Sequence, residues 1–486
     1  MAQYFGGHEL KKGKFLTPFN QVDGLQLSDW SYSRMPEYLW LGLILGNFER
    51  TVALEHCGKI LTKLHNLSTT IDLPKFSQIL ALNKDSQKSF FDYVISLIGD
   101  KPLAPLNLLF TTTSHPVFAS LFSKNILNHD KLASRLKNAM EQFYGHQTDT
   151  ATDIRFLIVY FLIVSGRLNF LEGMESTVDA IRRYPYTPHS DEDMRRMRPI
   201  VRSMEGAIQG TDHEDNTDSS FVEDFWKAIN GMYECELTYI DFTSAKPDAE
   251  GFIKLAGSQL QFYSDILSAT RVNDDKMLVL VGIAAYAFKR IRELVNHDLF
   301  HTISGRSIAR CVIECYIMVK YLCKEEVGKP TIWSDYQDYG LGQYKLIYTR
   351  IDEDKADMSN SHVNVDLIKL LVSHRRDDKF IDMDTSYFGK KGIREKSQAV
   401  SEKGLWSHYY DYDSAFEHGL WGAIRESVML DCASIAHRYH FIPDTEDRIK
   451  LKSVWSDCKM VMTKLLVFLG EIYGYPAGFP SYGGNE

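Results

Sequence analysis

The sequence predicts an all-α protein of two helical domains, the second a C-terminal helical bundle holding a buried polar cluster. Three observations predict it. Apolar residues recur at helical spacing through most of the chain, alternating strand patterns are scarce, and one acidic stretch without a large apolar residue divides the chain. Packing helix on helix is the architecture that buries such stripes.

Trp40, Leu41, Ile44, Leu45, Phe48 and Val52 form the first stripe, and Pro36 suits the first turn of its helix. Cys57, Ile60, Leu61, Leu64 and Leu67 extend it. Further helices are expected around 87–98, 130–144, 152–171, 191–209, 220–234, 251–270, 276–296, 305–323, 332–350, 363–374, 389–402 and 408–438. Trp455, Cys458, Met462, Leu465, Leu469 and Ile472 make the last stripe. No repeat of fixed period is evident. The stretch "GTDHEDNTDSS", 210–220, cannot contribute to a core and reads as a linker. It separates an N-terminal helical domain, 1–209, from a C-terminal one, 221–474. A second loop falls at 352–362. The tail 475–486, rich in Gly and Pro, is expected to be mobile.

Composition narrows the function classes. Hydrophobic residues make up 44% and charged residues 24% of the 486, as in an ordinary globular protein. A core of that size needs no disulfide or metal. The net charge of −9 does not favour nucleic acid globally, which leaves only a local basic patch for it. The seven cysteines (57, 235, 311, 315, 323, 432 and 458) form no CxxC pair and read as reduced, buried thiols. Zinc sites use close ligand pairs, which are missing here, so neither a metal nor a cofactor is expected. The N-terminus "MAQYFGGHELKKGKF" has no apolar core of a signal peptide. The longest purely apolar run, Phe156 to Val164, is too short to span a bilayer. The expectation is a cytoplasmic protein without a membrane partner. No GxxxxGK[ST], no strand-linked GxGxxG and no HExxH occurs, which argues against a nucleotide hydrolase or a zinc peptidase.

Chemistry concentrates in the second half. In "GRSIARCVIECYIMVKYLC", 305–323, Arg310 and Glu314 are the only charges between Ile308 and Val319. A helix apolar all round is buried, and the i, i+4 spacing puts this pair on one face. The pair reads either as a buried ion pair that fixes helix register or as a polar pocket inside the bundle. In "HYYDYDSAFEHGLWGAIRES", 408–427, Ser414, His418, Trp421 and Arg425 fall on one helical stripe. Gly419 and Gly422 beside it would admit another backbone. The stripe is expected to face the Arg310–Glu314 helix and complete one polar cluster. A serine hydrolase is disfavoured, because no GxSxG elbow is present.

The combination "SIARCVIECYIMVKYL", "GKKGIREKSQAV" and "YYDYDSAFEHG" resembles a family of helical bacterial proteins known only as a domain of unknown function. Its pattern is an Arg-x3-Glu helix followed by a Tyr-x3-Ser-x3-His helix, and Arg310, Glu314, Ser414 and His418 match it. The resemblance covers roughly 260–440. It implies a helical fold and, by analogy with proteins of this kind, an effector or accessory component of anti-phage defence.

The stretch "RELVNH", 292–297, resembles the Arg-x4-6-His signature of the HEPN ribonucleases, helical proteins that often dimerise. That resemblance implies metal-independent RNA cleavage. His297 would move the proton of the 2′-hydroxyl, Arg292 would neutralise the phosphoryl oxygens, and Asn296 would hold the imidazole or the phosphate. The helical projection is less favourable. In a regular helix His297 lies about 140° round from Arg292, so the two converge only if the helix ends or bends near Asn296. The alternative is a solvated last turn with His297 at the negative end of the helix dipole.

Arg182, Arg183, Arg195, Arg196, Arg198 and Arg202, with Tyr184 and Tyr186 between them, read equally as a phosphate-backbone patch with stacking aromatics or as a solvated helix face. "LVSHRRDD", 371–378, is a weaker basic patch beside its own counter-charges.

Two functions are therefore expected to compete. The leading one is a bacterial, defence-linked effector with HEPN-like endoribonuclease activity. RNA would be its substrate, and a second copy or a partner protein would complete it. The alternative is a non-enzymatic sensor or scaffold that binds a partner protein, or a small ligand in a cavity lined by Arg310, Glu314 and His418.

Overall fold

A computed structural model describes residues 8–18, 29–111, 113–123, 128–210, 219–270, 274–375, 378–480 and 482. Among the described residues the chain is all-α, with 19 α-helices and only short strands. A short hairpin pairs Glu9–Lys11 antiparallel with Lys14–Leu16. Its two turn residues, Lys12 and Gly13, both have positive φ, as the tightest hairpin turn requires.

The chain forms two compact units. The first is Met1–Leu237 together with Asp431–His440, and the second is Thr238–Leu430 with Phe441–Glu486. The division therefore falls beyond the expected linker, most of which (211–218) lies outside the described residues. The reason is the helix Ser219–Asn230. Its Phe221, Val222, Phe225, Trp226 and Ile229 are buried in the first unit's core.

In the first unit the helices Met35–Leu45 and Asp149–Val164 are buried on nearly every face. Both are mostly apolar, and helices buried all round belong at the centre of a bundle. Pro36 occupies the first turn as expected. The first stripe does not run on to Leu67 as one helix. It stops at Leu45 and restarts at Arg50, where the Glu49 carboxylate accepts from the backbone amides of Thr51 and Val52. Trp40, Phe76, Phe90, Phe91, Phe110, Phe118 and Phe122 stack edge-to-face or offset in one aromatic cluster.

Two clusters of buried charge in this unit are built from paired groups. Arg50 grips Asp153 through Nε and Nη2, and Tyr184 Oη and His189 Nε2 reach the same carboxylate at 2.9 and 3.0 Å. Arg34 pairs with the fully buried Glu205, Arg155 approaches it at 3.7 Å, and both guanidiniums lie against the Trp30 ring. An ionised group survives desolvation only in such company. Burial, with the charges of Arg34 and Arg202, pulls the Arg155 guanidinium down to about 10.

In the second unit the helix Ile303–Glu325 is the axis. It packs against Asp275–Asn296, Asp411–Glu417 and Trp455–Tyr473. Glu250–Thr270 covers Asp275–Asn296. Ile332–Asp354 and Val365–Arg375 form a pair with a small core of Ile368, Val372 and Ile381. Lys355, in the left-handed region, ends the first of these where the loop was expected. The expected helix over 408–438 is not continuous. It is split into a π-helical turn Leu405–Tyr410, the helices Asp411–Glu417 and Trp421–Val428, and the strand Met429–Cys432.

The C-terminal tail is docked through its described residues. Tyr482 donates to Gln259 Oε1 at 2.5 Å and packs on Phe252, while Phe479 bridges Tyr475 and Tyr482. The rest of the tail expected to be mobile, 481 and 483–486, lies outside the described residues.

Candidate functional site

The candidate site grows from the exposure pattern of Ile303–Glu325. Ile308, Ala309, Val312, Ile313, Tyr316 and Ile317 are buried, whereas Arg310, Cys311, Glu314, Cys315 and Met318 are half-buried. That second set recurs at i, i+1, i+4, i+5 and i+8, a single helical stripe. The helix is thus not buried all round. Its polar stripe opens on a cavity of about 430 Å³, also lined by Gly282, Ile283 and Tyr286 from the preceding helix and by Tyr336 from the following one. Cavities of this size hold small organic ligands.

Arg310 is held in place. Its Nε donates to Ser414 Oγ at 3.0 Å and its Nη2 to Tyr410 Oη at 2.6 Å. Ser414 Oγ donates in turn to the Tyr410 carbonyl, and Tyr410 Oη reaches Glu314 Oε2 at 3.4 Å. Nη1 of Arg310 stands 3.8 Å from Glu314 Oε2. With Nε and Nη2 so engaged, Arg310 still lines the cavity beside Glu314. Burial, then the Glu314 charge, pushes the Tyr410 hydroxyl up to about 12, so it keeps its proton and serves as a fixed donor. Tyr410 ends a π-helical turn, a device that re-aims a side chain.

Two thiols complete the wall. A hydrogen bond from Cys315 leads in holding Cys311 below the usual thiol range. Burial opposes it and the Arg290 charge assists it, while Cys315 itself is pushed well up. A second group missed by the sequence reading is Lys396, buried with its ammonium against the rings of Tyr321 and Phe388. Burial pulls its pKa down, and the Glu314 charge opposes that. Lys396 lies inside the motif "GKKGIREKSQAV", but nothing in the spacing signals its burial.

The remaining expected residues are placed as follows. His418 caps the end of Asp411–Glu417 and is exposed, outside the cavity lining. Gly419, with φ 57°, breaks the stripe, so Trp421 is 63% exposed and does not face Arg310. Nothing approaches a Cβ added at Gly419 or Gly422, so neither marks a close backbone contact. Arg425 lies over the Phe441 ring. Arg292, Asn296 and His297 are all exposed. The helix continues through Asn296, and His297 forms its C-cap, with its amide donating to the Glu293 carbonyl. The helix therefore ends at Asn296, where the convergence of Arg292 and His297 requires an end, and both side chains are exposed there.

Of the six arginines, Arg183 pairs with Asp179 and Asp193, Arg198 with Asp149, and Arg202 donates to Thr152 Oγ1 and the Gln147 carbonyl. Arg182, Arg195 and Arg196 are exposed. Tyr184 is fully buried on Asp153 and offers no stacking face, whereas Tyr186 is 66% exposed. In the weaker patch, Arg376 and Asp377 lie outside the described residues.

The expectation of no metal-ligand set is overturned by geometry in the first unit. Cys235, Cys432, His437 and His440 bring their ligand atoms within 4.8 Å of one another. The usable signal was the local spacing Cys-x4-His-x2-His. The fourth, Cys235, is 197 residues before Cys432 in the chain, beyond the reach of any spacing rule.

Residues 277–434 match the family model described as a family of unknown function, DUF5677. The match contains the whole Arg310–Glu314–Tyr410–Ser414 arrangement, and Arg292 and His297 as well. No curated protein and no solved structure matches the chain. No described helix is long and apolar enough to cross a membrane.

Proposed function

We propose that the second unit is a small-ligand sensor and that the cavity at Arg310 is its binding site. The observation that carries this is the anchored guanidinium. Arg310 is fixed by Ser414 and Tyr410 and still borders open space beside Glu314. An acceptor or anionic group on the ligand meets Arg310, and a donor meets Glu314. Tyr286 and Tyr336 offer ring faces, and Ile283 and Met318 offer apolar walls. Together these suit a small planar molecule with donor and acceptor on one edge, as in a nucleobase, better than a long chain or a bare ion. A role in bacterial defence, with a partner protein or a second copy responding to the ligand, belongs to the same proposal and rests on the family resemblance alone.

The experiment is a thermal-shift panel of nucleobases, nucleosides and free amino acids on the full chain and on Arg310→Met. A ligand that raises the melting temperature of the wild type and not of the variant supports the proposal. A panel inert toward the wild type, or one equally effective on both, contradicts it.

Metal-independent RNA cleavage by Arg292 and His297 is the second reading, favoured by the exposure of both side chains on one helix end. It predicts RNA fragmentation on induction of the protein, abolished by His297→Ala. Intact RNA in the wild-type culture contradicts it.

A further inference from the structure

We propose that Cys235, Cys432, His437 and His440 form a structural zinc site in the first unit, independent of the ligand cavity. Cys235 follows the helix Ser219–Asn230, and the other three come from Asp431–His440, the segment that returns to this unit from the far side of the sequence.

Two of the ligand separations match the edge of a zinc tetrahedron, and all four ligand atoms lie within 4.8 Å of one another. Zinc bonds of about 2.3 Å to sulfur and about 2.0–2.1 Å to nitrogen set a tetrahedral S···N edge of roughly 3.6 Å. Here Cys235 Sγ stands 3.5 Å from His440 Nδ1, and Cys432 Sγ stands 3.4 Å from His437 Nδ1. Each imidazole points the same nitrogen at a sulfur. The two rings are nearly perpendicular, with centroids 5.3 Å apart, so they approach a common centre from different directions.

The surroundings orient the ligands. His437 is 5% exposed, and its Nε2 donates to the Asn230 carbonyl at 3.1 Å. That bond puts the proton on Nε2 and leaves the Nδ1 lone pair facing the cluster, the usual arrangement around a metal-bound histidine. The backbone is clamped beside the ligands. The Cys432 amide donates to the His440 carbonyl at 3.1 Å, and the Ala433 amide donates to the Glu236 carbonyl at 2.8 Å. The His437 amide closes a turn onto the Ser434 carbonyl. A disulfide between Cys235 and Cys432 would need none of the imidazole geometry.

Two thiolates and two neutral imidazoles are a zinc donor set, and four protein ligands close the shell against substrate. The role is therefore structural. Zinc binding releases the two thiol protons and fastens 431–440 to the end of Ser219–Asn230.

The test uses the reduced full chain, stripped with a chelator and titrated with Zn²⁺ alone and with Co²⁺ as a spectroscopic substitute. The expected result is one zinc per chain, with Co²⁺ giving thiolate charge-transfer and tetrahedral d–d bands. Cys432→Ser and His440→Ala lose both signals, and Cys323→Ser, outside the cluster, keeps them. If Cys432→Ser loses its helical circular dichroism, Cys235→Ser at the exposed ligand takes its place. No zinc uptake by the reduced wild type overturns the proposal. So do cobalt bands that survive the ligand substitutions, or thiol counting and peptide mapping that show a Cys235–Cys432 disulfide in the freshly purified chain.

Discussion

Arg310 and Tyr410 are joined twice, by a 2.6 Å hydrogen bond from Nη2 to the phenol oxygen and by the guanidinium carbon lying 4.6 Å from the ring centroid. The first contact fixes direction and the second fixes depth. Together they hold a cation at a cavity wall that would otherwise favour its swing into solvent. Tyr410→Phe keeps the ring contact and deletes the bond. It is expected to lower stability by about 1 kcal/mol, read as a shift in the urea midpoint at unchanged slope. An unshifted midpoint would show that the hydroxyl does not anchor Arg310.

Cys311 is expected to be the most reactive thiol of the cavity. Its lowered pKa leaves more thiolate at neutral pH than Cys315 or Cys323 can supply, since both of those are raised. Iodoacetamide labelling followed by mass spectrometry should modify Cys311 first. Cys315→Ala, which removes the leading cause, should slow that modification and move its pH dependence upward. Equal labelling of Cys311 in the two chains would refute the assignment.

Asp413 sits in the first turn of the helix that carries Ser414 and is 4% exposed. Burial pushes it from 3.8 up to about 7. Arg306 opposes this, and Asp457 adds to it. The folded state therefore holds a proton that the unfolded chain releases, so this residue's contribution to stability falls as pH rises from about 4 to about 7. Asp413→Asn removes the penalty. It should stabilise the protein by on the order of 2 kcal/mol at pH 8 and by little at pH 4, a discount from the roughly 4 kcal/mol that the full shift would give. Denaturant melts at the two pH values measure it, and a gain of the same size at both pH values would mean that charge is not the cause.

Truncation after Ala477 removes Phe479 and the Tyr482 contacts with Gln259 and Phe252. Loss of two packed aromatic rings is expected to destabilise the second unit by on the order of 2 kcal/mol. An unchanged melting temperature would restore the mobile tail that the composition suggests.

These cases show what the sequence made legible. Helical periodicity located Asp275–Asn296, Ile303–Glu325 and Trp455–Tyr473 closely, because each carries its own buried stripe. Arg310 and Glu314 stood out as charges in an apolar run, and Ser414 as a polar residue on the facing helix. Tyr410 did not, because one tyrosine in a tyrosine-rich stretch is marked only by tertiary contact. His418 was misplaced because Gly419 turns the chain left-handed there, and a glycine beside a helical stripe reads equally as a packing notch. The Cys235–Cys432–His437–His440 cluster was missed because Cys235 lies far from the other three in the chain, and the Cys-x4-His-x2-His spacing alone does not make a site.

The most direct measurement of the central claim is a calorimetric titration of the ligands that shift wild-type melting into the wild type, Arg310→Met and His297→Ala. Loss of one charge-assisted bond of about 1.5–3 kcal/mol predicts roughly 10- to 100-fold weaker binding in Arg310→Met, with His297→Ala binding like the wild type. Equal affinity in Arg310→Met, or loss of binding in His297→Ala alone, would contradict a sensor cavity built on Arg310.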